Sequence, residues 1–152
     1  MAIIKSSEEK GYQLLESAKM VSVVTIAATN QPKVFLPDPN KFKDKYLPPG
    51  QYFVDPKEPA LLREKIRIAL RIAAYHGHSR IVLGALGCGQ FSNPGERVAE
   101  LFFHVFMEKE FSGGWWEHVV FAIKDVSGKK ATGWRKNQPF DIFWRKLHGL
   151  VV

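Results

Sequence analysis

Residues 81–96, IVLGALGCGQFSNPGE, hold the residue types that a phosphate site needs. Ile81, Val82 and Leu83 form an apolar run that reads as a buried strand. A loop carrying Gly84, Gly87 and Gly89 follows and ends at Asn93-Pro94. Asn93 suits an N-cap, Pro94 the first helical position, and Glu96 stands three residues after the cap, so a helix is expected to start here. Strand, glycine-rich turn and helix N-terminus in succession make an anion site. The glycines let backbone N–H groups approach a phosphate, and the first helical turn leaves donors unpaired beside a partial positive charge. The expected ligand class is a phosphorylated or nucleotide-like molecule. The spacing is neither GxGxxG nor GxxxxGK[ST]. An ordinary turn after a strand is the competing reading.

The elements around this loop follow from hydrophobic period. Segments 2–5 (AIIK) and 12–15 (YQLL) read as short strands joined by a polar turn. The run VSVVTIAA at 21–28 reads as a buried parallel strand. Residues 30–59, rich in proline, lysine and aspartate, keep no helical period and read as a long ordered loop or insert. A helix is expected over 59–76, begun by Glu58 and Pro59 and ended by Gly77. Leu62, Ile66, Ala69, Leu70 and Ala73 form its apolar stripe; Arg63, Arg67 and Arg71 form another that reads as a solvated face. A strand at 81–86 and a helix at 94–110 come next, the helix burying Val98, Leu101, Phe102, Val105 and Phe106. A turn at 112–117, a buried strand at 118–124 and a short amphipathic helix at 140–149 complete the chain. Strands alternating with helices predict one α/β domain over residues 1–152, three-layered α/β/α with a mainly parallel mixed sheet.

Composition narrows the class. The chain has 152 residues, 45% of them hydrophobic, enough for a real core. The single cysteine, Cys88, allows no intramolecular disulfide and no cysteine-based zinc cluster. The five histidines show no metal-ligand spacing, and neither a metal nor a cofactor is implied. No apolar stretch is long enough to span a bilayer, and the N-terminus has no signal core, so a cytoplasmic or nuclear protein is expected. The net charge of +7 suits an anionic partner, although many basic proteins are simply soluble. Within 124–152 the basic residues Lys124, Lys129, Lys130, Arg135, Lys136, Arg145 and Lys146 interleave with Trp134. That pattern suits RNA or another polyanion, although a solvated surface is the commoner explanation.

The blocks VLGALGCGQFSNPGERVAELFFHVF, HVVFAIKD and VSVVTIAATNQP resemble, in family order, the core of the microbial poly(ADP-ribose) glycohydrolases, a branch of the macrodomain superfamily. Thr29 stands where that family often has proline. The resemblance spans residues 3–143 and is densest at 81–125. It implies ADP-ribose, free or on a protein, as the ligand, with the diphosphate and distal ribose on the 84–93 loop. Gly84, Gly87, Cys88, Gly89, Gln90, Phe91 and Asn93 are then the expected contacts. Phe91 would pack over the ribose, or serve as an ordinary core or lid aromatic. Asn30 would reach a ribose hydroxyl or cap a turn. Asp125 would face the adenosine half. Phe140 would stack on adenine, or pack with Phe143 and Trp144 in the core. Cys88 lies near a helix N-terminus, which lowers a thiol pKa. No histidine is adjacent, and it reads as a space-filling residue.

One motif of the resembled family is absent. Its glycohydrolases carry a triple-glycine loop and then a Gln-Glu-Glu element whose glutamate acts as general acid/base. Here the only adjacent glutamates, Glu8 and Glu9, follow no glycine triplet. Glycosidic cleavage needs a placed carboxyl group. The resemblance therefore implies a reduced domain that binds without cutting, and no catalytic residue is assigned. Two alternatives stay open. One is an ADP-ribosyl hydrolase or ADP-ribose-derivative phosphatase using a substitute carboxylate, Asp125 or one from 38–58. The other is a non-catalytic module binding RNA, poly(ADP-ribose) or protein through the basic tail. A reduced sheet also leaves an edge or apolar face exposed, so a homodimer or partner-dependent assembly is expected.

Overall fold

Leu62, Ile66, Leu70 and Ala73 recur at helical spacing, and all four are buried along one side of α1 (Lys57–Tyr75). Pro59 sits in the first turn, where its missing N–H costs nothing. The helix stops at Gly77, whose φ of 72° only glycine adopts without strain. There the Gly77 N–H donates to the Ala74 carbonyl at 2.9 Å and the His78 N–H to the Ala73 carbonyl at 3.0 Å. These two bonds are the Schellman pattern, and they satisfy carbonyls the helix end would leave orphaned. The computed structural model describes residues 1–38, 50–124 and 138–151.

α2 (Gly95–Phe106) buries Val98, Ala99, Phe102, Val105 and Phe106 against α1, and α3 (Pro139–Leu147) adds Ile142 and Phe143 from the other side. β5 (Arg80–Leu83) pairs in parallel with β6 (His118–Phe121), with Val82 opposite Val120. Alternation along these strands sends Ile81, Leu83, Val119 and Phe121 toward the helices. Phe102, Phe121 and Phe143 meet there, with ring centroids 5.1 to 6.0 Å apart. Such tilted and edge-on contacts suit the ring quadrupoles. The opposite face of the pair is uncovered among the described residues: Val82 is 72% exposed and Val120 52%.

The remaining strands are small and antiparallel. β1 (Ala2–Lys5) pairs with β2 (Leu14–Met20) around a 3-10 turn at Glu8–Lys10, and no residue of this hairpin is buried. β3 (Val34–Phe35) pairs with β4 (Tyr52–Phe53). The described residues thus form a mixed α/β fold with three α-helices and small sheets.

Several expectations need correction. Residues 21–28 form no strand, and most of the run is exposed. Among the described residues no strand lies alongside to complete a ladder, and an unpaired backbone run cannot be a sheet member. The 30–59 segment is not only loop, since it supplies β3 and β4. β5 ends at Leu83 rather than at 86, and β6 at Phe121 rather than at 124, because the chain turns into loops after one short parallel ladder. β2 runs on to Met20. α2 starts at Gly95 and stops at Phe106, so neither Pro94 nor Glu110 is helical.

The arginine stripe of α1 is an ion-pair row rather than a bare solvated face. Arg67 donates from Nε and Nη2 to the two oxygens of Glu108 at 2.6 and 2.7 Å, and it also pairs with Glu64. Arg71 holds Glu110 in the same forked way. The Arg67 guanidinium keeps the Glu108 carboxyl below its ordinary pKa, chiefly by hydrogen bonding. A carboxylate with a depressed folded pKa stabilises the fold above its unfolded pKa and ceases to do so as pH falls through the folded one. Glu108→Gln should therefore lower stability by about 1 kcal/mol at neutral pH. Urea unfolding should find the wild-type advantage shrinking below about pH 4, as the carboxylate protonates.

Candidate functional site

The 84–93 loop is clasped to residues 28–31 by one side chain. Asn93 is only 4% exposed. Its Nδ2 donates to the Thr29 carbonyl at 2.7 Å and to the Gly87 and Phe91 carbonyls at 3.2 Å each. Three carbonyls around one atom fix the amide orientation, because a flipped Oδ1 would face them with no proton to share. Backbone bonds reinforce the clasp: the Asn93 N–H donates to the Gly87 carbonyl and the Gln31 N–H to the Phe91 carbonyl, both at 2.9 Å. Asn93 is therefore not the cap of α2. Pro94 holds that position, with extended ψ and no side-chain cap bond.

Gly87 is required twice over. Its φ is 72°, and a Cβ there would lie 2.5 Å from both Ala28 Cβ and Asn93 Nδ2. Gly84 and Gly89 differ, for a Cβ on either would meet nothing within 4 Å. Their surroundings are open, as an approaching ligand needs. Two non-glycine residues flank the clasp in the left-handed region, Gln31 at φ 48° and Ser92 at φ 52°. Such strain persists only where neighbouring contacts overdetermine it, and it gathers at binding sites.

The loop's donors divide into used and unused. The N–H groups of Cys88, Ser92 and Asn93 are spent on loop carbonyls. Those of Gly89, Gln90 and Phe91 meet no acceptor among the described residues, nor do those of Ala85, Leu86 and Gly87 earlier in the loop. Gly89, Gln90 and Phe91 are exposed, and the uncapped N-terminus of α2 begins four residues on from Phe91. Consecutive unpaired N–H groups beside a helix N-terminus suit an anion. Phe91, 40% exposed, lies outside the buried core, which removes its core reading. The Glu96 carboxylate in the first turn of α2 would oppose an anion, and Arg145 and Lys146 of α3 engage it at 3.0 and 4.0 Å.

The other expected contacts distribute unevenly. Asn30 is exposed beside the clasp. Asp125 lies outside the described residues, as do Lys129, Lys130, Trp134, Arg135 and Lys136. Phe140 is half-buried on α3 and stacks on Trp144 at 6.2 Å. Phe143 is core, and Trp144 is 54% exposed. Cys88 packs against the core, and burial pushes its thiol up to about 12. Its Sγ–H donates to the Leu86 carbonyl at 3.6 Å. A thiol with that pKa is protonated and non-nucleophilic at neutral pH. Iodoacetamide should therefore label native Cys88 far more slowly at pH 8 than it labels the urea-unfolded chain, as mass spectrometry would measure.

In the sequence reading Glu58 is a helix start and one of the carboxylates of 38–58, with no role of its own. It stands in the first turn of α1 and accepts a 2.5 Å hydrogen bond from Thr29 Oγ1, which puts a carboxylate beside the clasp. Lys65 donates to the Ala27 carbonyl at 2.7 Å and tethers the same segment. A cavity of about 300 Å³ lies elsewhere, between Trp116, His118, Phe106, Leu147 and Leu150. Its lining includes His118, Val119 and Phe121 of β6 and no residue of the 84–93 loop. Among the described residues no group of three or more His, Cys, Asp or Glu could hold a metal ion, and no helix is long and apolar enough to cross a membrane.

No protein-family model and no curated protein matches the chain. Solved structures do. A poly(ADP-ribose) glycohydrolase from Deinococcus radiodurans, crystallised with ADP-ribose, superposes with a TM-score of 0.64 at 28% identity, over 99% of this chain and 50% of that one. The poly(ADP-ribose) glycohydrolase of Thermomonospora curvata gives 0.62 at 27% identity, over 95% of this chain and 44% of that one. The chain thus spans about half the length of the structures it matches.

Proposed function

From a chain that is glycohydrolase-like, in the macrodomain manner, we propose a binding protein for ADP-ribose, free or attached to protein. The diphosphate would lie on the 84–93 loop. The observation that carries this reading is the row of unpaired N–H groups on the exposed residues Gly89, Gln90 and Phe91, beside the uncapped start of α2. Support comes from the Deinococcus radiodurans structure, which contains ADP-ribose. Phe91 would cover the adjoining ribose with its exposed ring. The reading is confined to binding; residues 1–152 contain no Gly-Gly-Gly and Gln-Glu-Glu pair to which cleavage could be assigned. Calorimetric titration with ADP-ribose, ADP, AMP and NAD tests it. ADP-ribose and ADP should release heat, AMP much less. Silence with all four, together with no thermal shift, would remove the reading.

One observation favours a second reading, hydrolysis by a substitute carboxylate. Glu58 sits beside the clasp, hydrogen-bonded to Thr29. Its test is release of ADP-ribose from an ADP-ribosylated protein, abolished by Glu58→Gln while ligand binding survives. Binding of RNA or poly(ADP-ribose) through the basic tail has less support. Of the tail cations described, Arg145 and Lys146 already pair with Glu96 and Glu100.

A further inference from the structure

Residues 27–29 are held from two sides. α1 grips them twice: Thr29 Oγ1 donates to Glu58 Oε2 at 2.5 Å, and Lys65 Nζ donates to the Ala27 carbonyl at 2.7 Å. Glu58 and Lys65 stand seven residues apart, which puts them on one face of the helix. The phosphate loop grips the segment through Asn93 Nδ2, on the Thr29 carbonyl at 2.7 Å. Thr29 therefore bonds α1 with its side chain and the loop with its backbone. A hydroxyl on a carboxylate at 2.5 Å is a charge-assisted bond, of the stronger class. Glu58 is spent on nothing else. It makes no ion pair among the described residues, and the start of α1 is served by Asp55, whose Oδ1 accepts the Lys57 N–H at 2.8 Å. Thr29 and Glu58 are both half-buried, outside the apolar core.

We propose that Glu58 is a positioning residue for the phosphate loop, acting through Thr29 and Asn93. Glu58 fixes the Thr29 side chain, and the Thr29 carbonyl fixes the Asn93 amide. That amide in turn holds the Gly87 and Phe91 carbonyls, which bracket the unpaired N–H groups. α1 is the fixed end of the relay, because Leu62, Ile66 and Leu70 anchor it in the core. The moving end is the direction in which Gly89, Gln90 and Phe91 present their N–H groups. A loop that holds its competent shape only part of the time binds more weakly in that proportion. The inference rests on the ADP-ribose reading of the loop, and it names a residue outside the loop that sets the loop's affinity.

The experiment combines ADP-ribose calorimetry, urea unfolding and ligand-free amide spectra on four variants. Thr29→Val keeps the side-chain shape and loses the hydroxyl. Glu58→Ala removes the acceptor. Each should weaken ADP-ribose about fivefold, as the loop's competent population falls. The double variant should be no weaker than either single one, because both remove one shared contact. Glu58→Gln still offers an oxygen to Thr29 and should bind within about twofold of wild type, as a relay through that one bond requires. In the ligand-free spectra Thr29→Val and Glu58→Ala should move the same amides within 87–93. Wild-type affinity in both single variants overturns the proposal. So do additive losses in the double variant, or a Glu58→Gln as weak as Glu58→Ala. A loss of affinity that only tracks the unfolded fraction also overturns it, for the bond would then serve the fold rather than the loop. The ligand-free spectra keep the two readings apart. If the wild type binds no ADP-ribose, the ligand reading falls, and the relay stands or falls on whether both variants move the same loop amides.

Discussion

Gly87→Ala should both destabilise the fold and abolish ADP-ribose binding, whereas Gly89→Ala should weaken binding at least tenfold without destabilising the fold. At Gly87 the added methyl must adopt a φ of 72° and enter within 2.5 Å of Ala28 Cβ and Asn93 Nδ2. The left-handed conformation costs roughly 1–2 kcal/mol for a residue with a Cβ. Forcing the overpacked contact apart costs roughly 1–3 kcal/mol more. A loss of about 3 kcal/mol follows, and the clasp that shapes the loop opens with it. At Gly89 neither term applies, since a Cβ meets nothing within 4 Å and φ is not positive. Stability should hold or rise slightly through the unfolded state. The methyl nonetheless stands among the unpaired N–H groups, so affinity should fall at least tenfold. Urea unfolding and calorimetry on the two variants separate the effects. Equal stability of both variants would mean that the clasp does not shape the loop.

Asn93→Asp carries the second large effect. The side chain keeps its shape and loses the Nδ2 protons that three carbonyls share. In their place a carboxylate faces three carbonyl oxygens in a site 4% exposed. Leaving a charge buried without a partner costs about 3–5 kcal/mol. The sign of the pH dependence identifies the cause. Burial raises the folded pKa of the new carboxyl, so the penalty grows as pH rises above the unfolded value near 4 and levels off above the folded value. The variant should gain stability relative to wild type as pH is lowered from 8 to 5. Asn93→Ala, which takes the only donor from the Thr29 carbonyl while the Gly87 and Phe91 carbonyls keep their backbone donors, adds no charge and should lose less and show no such slope.

Periodicity made the helices legible. The stripe Leu62, Ile66, Leu70, Ala73 and the set Val98, Phe102, Val105, Phe106 are patterns that only a helix packed on one side explains. Gly77 marked an end because its conformation is set locally. What stayed hidden depends on partners distant in sequence. Asn93 before Pro94 fits the cap rule, yet its amide was claimed by Thr29, 64 residues away. The arginine stripe looked solvated because Glu108 and Glu110 lie 41 and 39 residues off. Residues 21–28 have strand composition, and composition supplies no neighbour to pair with. β3 and β4, two residues each, are too short to leave a period.

Nuclear magnetic resonance titration with ADP-ribose tests the central claim most directly, by following the amides of Gly89, Gln90 and Phe91. These three N–H groups are predicted to shift downfield together as the diphosphate accepts their hydrogen bonds, while the spent amides of Cys88, Ser92 and Asn93 move little. Saturable ADP-ribose binding that leaves all three unmoved, or shifts only amides around the Trp116 cavity, would contradict the assignment of the 84–93 loop as the phosphate site.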